Sequence, residues 1–191
     1  GRFLNEALRA GSITMSEYLG TMLDSMNEEQ KEAVRTSLQN RVSVITGGPG
    51  TGKTTVARIL GKLYKEIGIL ETGQLIETDR AGLVAGYVGQ TAIKTSKKIE
   101  EAMGGILFID EAYTLNQKDE NFGQEAIDTI LKAMEDHRDD FVVIVAGYDD
   151  LMPRFIDSNP GLRSRFNKYI DFADYTADEM MGIFKMNCDK S

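Results

Sequence analysis

Residues 47–54 read Gly-Gly-Pro-Gly-Thr-Gly-Lys-Thr, a stretch that decides how the rest of the 191-residue chain is interpreted. It matches the phosphate-loop pattern, in which a glycine-rich turn is followed by a lysine and a hydroxyl residue. The β-branched run Val42 to Thr46 precedes it and the amphipathic stretch Lys53 to Ile67 follows it, so a strand and a helix flank the motif as required. Because a chance match in this context is improbable, the motif predicts nucleotide binding.

Each residue type in this stretch has a chemical reason. Glycines let successive backbone N–H groups turn inward around phosphates, and the N-terminus of the following helix adds positive potential. The motif predicts that the Lys53 ammonium reaches the β- and γ-phosphate oxygens of ATP and that the Thr54 hydroxyl ligates Mg²⁺. The nucleotide-binding residues predicted from the motif and the position after it are Gly48, Pro49, Gly50, Thr51, Gly52, Lys53, Thr54 and Thr55.

A second motif supplies what hydrolysis requires, a carboxylate beside the metal and a group that activates water. The apolar run Ile106 to Ile109 ends in Asp110 and Glu111. Asp110 is predicted to hold the Mg²⁺ shell, and Glu111 to orient or deprotonate the attacking water. Two solvated acids at a strand end are the ordinary alternative, but beside a phosphate loop the catalytic interpretation is favoured. Glu111 and Lys53 are therefore predicted catalytic residues.

Short β-branched runs alternate with amphipathic stretches through the middle of the chain, which is the pattern of a parallel sheet with crossover helices. Strands are predicted at Val42 to Thr46, Gln74 to Thr78, Ile106 to Asp110, Phe141 to Ala146 and Lys168 to Phe172. Helices are predicted at Lys53 to Ile67, Ala92 to Met103, Gln124 to His137 and Asp150 to Asp157. The third and fourth strands are apolar without alternation, so they should be central and covered on both faces. The predicted fold is a three-layer α/β sandwich around a five-stranded parallel sheet.

Composition disfavours several classes of protein. The chain carries 30 acidic and 22 basic side chains, a net charge of -8, and an acidic chain without a basic run is a poor candidate for nucleic-acid binding. Its single cysteine, Cys188, and single histidine, His137, exclude an internal disulfide and a zinc site built on both residue types. The longest apolar stretch, Phe141 to Ala146, is far shorter than a membrane span. A cytoplasmic protein is predicted.

Further motifs follow the phosphate loop in a fixed order, and through them the chain resembles the AAA+ ATPases. Within that class it resembles the CbxX/CfqX group, which includes stage V sporulation protein K. The motifs that carry the resemblance are Val56 to Leu60, Ala81 to Ala92, Gly105 to Tyr113, Ala146 to Tyr148 and Asn159 to Phe166. The resemblance implies an ATP-hydrolysing P-loop NTPase of the ASCE/AAA+ type. It also implies a homo-oligomeric ring, a hexamer in the full-length protein, that remodels a protein substrate.

Two site assignments rest on this resemblance. Tyr87 and Val88 match the tip of the loop that lines the central pore in AAA+ remodellers, where an aromatic ring can grip an extended chain without reading its sequence. A tyrosine that packs over a helix N-terminus is the alternative. Arg165, with Arg163 two residues before it, matches the arginine-finger position, at which a neighbouring subunit contacts the γ-phosphate. The alternative is a pair of surface arginines near a helix end.

One position departs from the common AAA+ pattern. Many members place Asn or Thr at the end of the fourth strand to position the water, whereas this chain has Ala146-Gly147-Tyr148 there. Tyr148 and Asp149 are both candidates for the polar sensor, and a tyrosine that only packs is an equal alternative.

The start of the chain follows a different pattern. Residues 26–50 resemble the opening segment of RecD-type superfamily-one helicases, in which a glutamine at the position of Gln30 reads the adenine edge. Gln30 could equally cap a helix by pairing with Asn27, and both interpretations stay open. The predicted domains are a helical N-terminal segment at 1–40, an AAA+ nucleotide-binding core at 41–175 and the start of a truncated helical lid at 176–191. We expect a fragment, natural or an engineered junction of two related halves.

Two other functions remain open on the sequence. A helicase-like motor on nucleic acid would explain residues 26–54, but the net charge has the wrong sign for it. A nucleotide-dependent interaction module with little turnover would fit a chain that ends soon after Thr176, because most of the lid would then be missing.

Overall fold

A computed structural model describes residues 42–87, 89–116 and 122–172. The predicted segments 1–40 and 176–191, and with them Gln30, lie outside the described residues, as does Val88. The elements in chain order are β1 (Val42–Gly47), α1 (Lys53–Glu66), β2 (Leu75–Thr78), α2 (Arg80–Leu83), α3 (Gln90–Ala102), β3 (Ile106–Ile109), a 3-10 helix (Ala112–Asn116), α4 (Phe122–Asp136), β4 (Val142–Gly147), α5 (Met152–Asp157), α6 (Pro160–Arg165) and β5 (Tyr169–Phe172).

The strands form one sheet of five, all parallel, in the order β2-β3-β4-β1-β5. The predicted parallel sheet is therefore confirmed, and each predicted strand lies within one residue of the observed one at either end. The third and fourth strands are central, as predicted, and every residue of β3 and β4 is buried. Their continuous apolar runs are explained by this burial on both faces.

Helices cover both faces of the sheet. On one face α1 lays Val56, Leu60 and Tyr64 against strand residues such as Ile45 and Phe108. On the other face α3 and α4 contribute a larger cluster that packs against the alternate strand residues; it includes Ile99, Ile127, Ile130, Val44, Leu107 and Val143. Because successive strand residues point to opposite faces, neighbouring apolar residues serve the two clusters in turn. No helix in this part of the chain has the length and apolarity needed to cross a bilayer.

Three short elements were not predicted, namely α2, the 3-10 helix and α6. Each has six residues or fewer, which is too short for a helical period to be visible in the sequence. Local capping stabilises two of them. The Asp79 carboxylate accepts a hydrogen bond from the Gly82 N–H at 2.9 Å, and the Asn159 side chain accepts one from Gly161 at 2.7 Å. The four predicted helices differ from the observed ones by at most two residues at each end, the usual uncertainty of helix boundaries.

Candidate functional site

A cavity of about 430 Å³ opens at the carboxyl edge of the sheet, where β1, β3 and β4 end. Ligands of open α/β sheets bind outside this edge of the strands. The cavity is lined by Gly47, Pro49, Gly50, Thr51, Gly52, Lys53, Thr54, Thr55, Asp110, Glu111, Gly147 and Tyr148. The phosphate loop, both predicted acids and one sensor candidate therefore share one cavity.

The phosphate loop joins β1 to α1 through a backbone shape that requires glycine. Gly52 has φ of 88° and forms the N-cap of α1, in a left-handed conformation that disfavours other residues. The first bond of the helix follows at once, from the Val56 N–H to the Gly52 carbonyl at 3.0 Å. The N–H groups of the first helical turn have no partner within the helix. Because Lys53, Thr54 and Thr55 line the cavity, this positive helix end borders it.

The Lys53 ammonium lies inside the turn of the loop. It donates hydrogen bonds to the carbonyl oxygens of Gly47 at 2.8 Å and Gly48 at 2.6 Å. The Thr51 hydroxyl donates to the same Gly48 carbonyl at 2.9 Å. Gly48 does not line the cavity itself, but its carbonyl thus fixes two side chains that do. The loop holds a positive charge at the cavity wall, where an anionic phosphate would be favoured.

Thr54 has a partner that the sequence analysis missed. Its hydroxyl donates to Oε1 of Glu77 at 3.3 Å, and Oε2 of Glu77 pairs with Nη2 of Arg58 at 3.4 Å. Glu77 lies on β2, where it pairs with Phe108 of β3. The position of β2 in the sheet thereby places the Glu77 carboxylate beside Thr54 and Arg58 of α1. Nothing in the local sequence around Glu77 signals this, because the contact depends on strand pairing.

The two predicted acids follow β3 directly. The Asp110 N–H donates to the Thr78 carbonyl at 2.8 Å and extends the β2–β3 ladder by one residue. Oδ1 of Asp110 accepts the Glu111 N–H at 3.0 Å. Among the described residues Glu111 is the only one other than glycine with a positive φ, 47°. Such a conformation costs on the order of 1 kcal/mol, and strained residues of this kind concentrate at functional sites.

Tyr113 is a second residue that the sequence analysis did not assign to the site. Its ring centroid lies 6.0 Å from that of Tyr148, with the planes tilted by 44°. Burial raises the pKa of the Tyr113 phenol, and the negative charge of Glu111 raises that pKa further. The sequence signal was its place two residues after Glu111 in the motif.

Gly147 makes this arrangement sterically possible. A Cβ at this position would lie 2.8 Å from Cδ1 of Tyr113 and 2.6 Å from Sδ of Met152. The backbone at the end of β4 therefore lies so close to the Tyr113 ring that only glycine fits there. Of the two sensor candidates that follow, Tyr148 lines the cavity and Asp149 is not among its lining residues.

The two predicted arginine-finger residues lie on α6, away from the cavity lining. Arg163 pairs with Asp157 at 2.7 Å, and Arg165 pairs with Glu135 of α4 at 2.8 Å. The Arg163 side chain is 65% exposed and that of Arg165 is 30% exposed. Each arginine makes a second hydrogen bond, Arg163 Nε to Oδ1 of Asp157 at 2.9 Å and Arg165 to the Gly161 carbonyl at 3.5 Å, and Arg165 is the less exposed of the two.

Tyr87 lies between α2 and α3 and is 79% exposed. The base of its loop is fastened by α3, whereas the Tyr87 ring is exposed to solvent. The Thr91 hydroxyl accepts the Ala85 N–H at 3.1 Å, and the buried Thr95 hydroxyl donates to the Leu83 carbonyl at 3.1 Å. The Lys94 ammonium donates to two further carbonyls of the same segment, those of Ala81 and Val84, at 2.6 and 3.0 Å.

The residues predicted to ligate Mg²⁺ fit that ion by chemistry. Thr54 and Asp110 place a hydroxyl and a carboxylate on one cavity, and oxygen is the ligand type that Mg²⁺ prefers. In the described ranges no three His, Cys, Asp or Glu side chains cluster so as to hold a metal by themselves. A site with few protein ligands suits an ion that keeps several waters and binds substrate phosphates.

Comparisons with known proteins agree with this geometry. A family model described as "ATPase family associated with various cellular activities (AAA)" matches residues 43–174. Stage V sporulation protein K of Bacillus subtilis is 53% identical over 145 residues, 75% of this chain and 45% of that protein. The chromosomal protein CbxX of Cupriavidus necator is 49% identical over 140 residues, 72% of this chain and 44% of that protein.

A third relative is longer. The ESX-1 secretion system protein EccA1 of Mycolicibacterium smegmatis is 49% identical over 147 residues, 75% of this chain and 26% of that protein. The chain thus spans less than half the length of these curated relatives. Among solved structures, the crystal structure of the FIGL-1 AAA domain in complex with ADP matches with a TM-score of 0.59 at 19% identity. The match covers 83% of this chain and 56% of the FIGL-1 chain, and it shows that the two share a fold.

The close approach at Gly147 gives a stability test. We expect Gly147→Ala to lower the free energy of unfolding by about 1–3 kcal/mol, because the added methyl group must displace Tyr113 or Met152. For a chain of this size that corresponds to a fall in melting temperature of about 2–4 °C per kcal/mol. Gly86→Ala is the matched control, since a Cβ there would meet nothing within 4 Å. Equal melting temperatures for the two variants would contradict the packing described.

Proposed function

The chain belongs to the AAA family of ATPases, in the group that contains stage V sporulation protein K and CbxX, and from this premise we propose that it binds and hydrolyses Mg·ATP. The observation that carries the proposal is the shared cavity at the carboxyl edge of the sheet. A lysine ammonium and a threonine hydroxyl from the start of α1 line it together with two carboxylates that follow β3. We take residues 41–175 as the proposed nucleotide-binding core.

In this proposal the phosphate loop binds and the acids act on water. Lys53 stabilises negative charge on the β- and γ-phosphate oxygens, and backbone N–H groups at the start of α1 surround the phosphates. Thr54 and Asp110 would hold Mg²⁺, which when bound neutralises charge on the phosphate oxygens. Glu111 takes a proton from the water as the water oxygen attacks the γ-phosphorus and ADP leaves.

We further propose that the complete site lies between subunits of a homo-oligomeric ring. Arg163 and Arg165 are on α6, outside the lining of this chain's own cavity, so action on the nucleotide of a neighbouring copy suits their position. Ion pairs orient both guanidinium groups, Arg163 with Asp157 and Arg165 with Glu135, and the motif position favours Arg165 as the finger. A finger in this role stabilises charge that develops in the transition state.

The proposed partner of the ring is a polypeptide substrate, gripped by Tyr87 and Val88. The exposure of Tyr87 supports this, since a packing tyrosine would bury its ring. The hydrogen bonds of Thr91, Lys94 and Thr95 support it as well, because they fasten the base of the loop and would transmit a pull to α3.

The phosphate-loop and acid assignments predict that ATP binding and ATP hydrolysis can be separated by mutation. We expect Lys53→Ala to abolish or severely weaken ATP binding, and Glu111→Gln to preserve binding but stop hydrolysis, because Glu111 contributes mainly when water attacks. Calorimetric ATP binding and phosphate release measure the two effects. Lys62→Ala, an exposed lysine on the same helix, is the matched control. If Glu111→Gln hydrolysed ATP at the parental rate, Glu111 would not be the base. If the parental chain bound ATP but did not hydrolyse it, the alternative of a nucleotide-dependent interaction module would be favoured.

The arginine assignment predicts an effect on turnover alone. Arg165→Ala should leave ATP affinity of the isolated subunit unchanged and lower turnover, by about 10³-fold if the finger acts fully in trans. Mixing Arg165→Ala with Lys53→Ala subunits should restore part of the activity, because some interfaces then combine an intact finger with an intact phosphate loop. Arg154→Ala on α5 serves as the control. Absence of recovery at every mixing ratio, with assembly verified by light scattering, would count against action in trans.

The pore-loop assignment predicts that loss of the Tyr87 ring affects substrate-stimulated ATPase but not basal ATPase. Tyr87→Ala should keep basal ATPase within about threefold and leave the melting temperature unchanged, because the exposed ring contacts solvent. It should abolish the stimulation of ATPase by a permanently unfolded polypeptide such as reduced, carboxymethylated α-lactalbumin. Tyr87→Phe should retain the stimulation, since gripping needs the ring more than its hydroxyl. A marked loss of both melting temperature and basal ATPase in Tyr87→Ala would instead identify a packing residue.

A further inference from the structure

The Thr54 hydroxyl is held from outside the cavity that Thr54 lines. It donates to Oε1 of Glu77 at 3.3 Å, and neither Glu77 nor the second partner of that carboxylate, Arg58, is among the residues that line the cavity. A hydroxyl group has one proton and two lone pairs, and it turns about its C–O bond until the proton meets an acceptor. The Glu77 carboxylate therefore fixes the direction of the Thr54 proton and leaves both lone pairs of the oxygen available to a ligand in the cavity.

The position of Glu77 follows from the alternation of side chains along β2. Leu75 packs against the cluster that α1 covers, so Glu77, two residues further along the strand, points to the same face of the sheet. Because β2 is an edge strand, water still reaches this side chain, which is 44% exposed. A carboxylate on the α1 face thus reaches the start of that helix without being buried in the core.

Both oxygens of the Glu77 carboxylate have a partner on α1. Oε2 pairs with Nη2 of Arg58 at 3.4 Å, while Oε1 accepts the hydrogen bond from Thr54. Thr54 and Arg58 are four residues apart, so they are neighbours on one face of the helix. Exposed ion pairs contribute little to folding stability. The pair with Arg58 therefore has more effect on where the carboxylate lies than on the free energy of unfolding.

We propose that Glu77 is a positioning residue for the metal site, which orients the Thr54 hydroxyl so that a lone pair of its oxygen is directed at Mg²⁺. This inference rests on the proposed role of Thr54 as a Mg²⁺ ligand. A charged acceptor also polarises the O–H bond and makes the oxygen a better electron-pair donor. Loss of a group that orients a metal ligand in this way typically lowers metal affinity by about 10- to 100-fold. Glu77 acts through Thr54, because it is not part of the cavity lining itself.

The test measures how strongly Mg²⁺ promotes binding of AMP-PNP, a non-hydrolysable ATP analogue, so it needs no turnover. The quantity is the ratio of the AMP-PNP dissociation constant in EDTA to that in saturating Mg²⁺, both by calorimetry. We expect Glu77→Ala to lower this ratio about tenfold, with AMP-PNP affinity in EDTA and the melting temperature unchanged. Glu66→Ala, which removes an exposed carboxylate at the far end of α1, is the matched control and should keep the parental ratio.

A double-mutant cycle separates action through Thr54 from a general loss of negative charge. In a Thr54→Ala background, Glu77→Ala should lower the ratio no further, because the hydroxyl that Glu77 orients is already absent. Glu77→Gln keeps an oxygen acceptor for the hydroxyl and should retain more of the ratio than Glu77→Ala. A parental ratio in Glu77→Ala, an equal fall in the Thr54→Ala background, or a Glu77→Gln ratio no higher than that of Glu77→Ala would overturn the inference.

Failure of the proposed function gives a different result. The parental chain would then bind AMP-PNP equally well in EDTA and in Mg²⁺, or would not bind it at all, and both proposals would be withdrawn. A parental chain whose AMP-PNP affinity rises with Mg²⁺, beside a Glu77→Ala variant that behaves identically, would remove the role of Glu77 alone.

Discussion

The parallel pairing of β1, β3 and β4 is the constraint on which the rest of this molecule depends. It sets Thr46 of β1 beside Gly147 of β4, and Ile109 of β3 beside Val145 of the same strand, so the three strands end close to one another at one edge of the sheet. Asp110 and Glu111 follow the end of β3 directly, Tyr148 follows the end of β4, and the phosphate loop joins the end of β1 to Lys53 and Thr54. Because the three strands are buried on both faces, their ends cannot shift independently, and the cavity inherits the rigidity of the core.

Sequence reasoning succeeded where the signal is local and failed where it depends on register. The phosphate loop, the acids after β3 and the five strands each follow from consecutive residues, and they could be placed without knowing the topology. Glu77 and Tyr113 could not, since Glu77 reaches Thr54 through strand pairing and Tyr113 meets the Tyr148 ring from a 3-10 helix too short to predict. The strand order was likewise not predicted, because no single segment encodes it.

The proposed working parts differ in how firmly they are held. The Lys53 ammonium and the Glu111 backbone are restrained by hydrogen bonds, as expected of groups that need fixed geometry. Tyr87 combines an anchored base with a projecting ring, which suits contact with a partner of variable shape. Arg165 is intermediate, because its ion pair with the exposed Glu135 orients it through contacts that a neighbouring copy could replace.

The left-handed backbone of Glu111 has an evolutionary consequence. Glycine, asparagine and aspartate adopt this conformation with less strain than glutamate, so folding stability alone would select against the residue found there. The proposed role of Glu111 as the base would maintain glutamate at this position despite that strain. In lineages that have lost the need for turnover, the position should drift toward glycine or asparagine before the surrounding core changes. A survey of residue 111 across homologues would then distinguish proteins that hydrolyse ATP from those that have lost the activity.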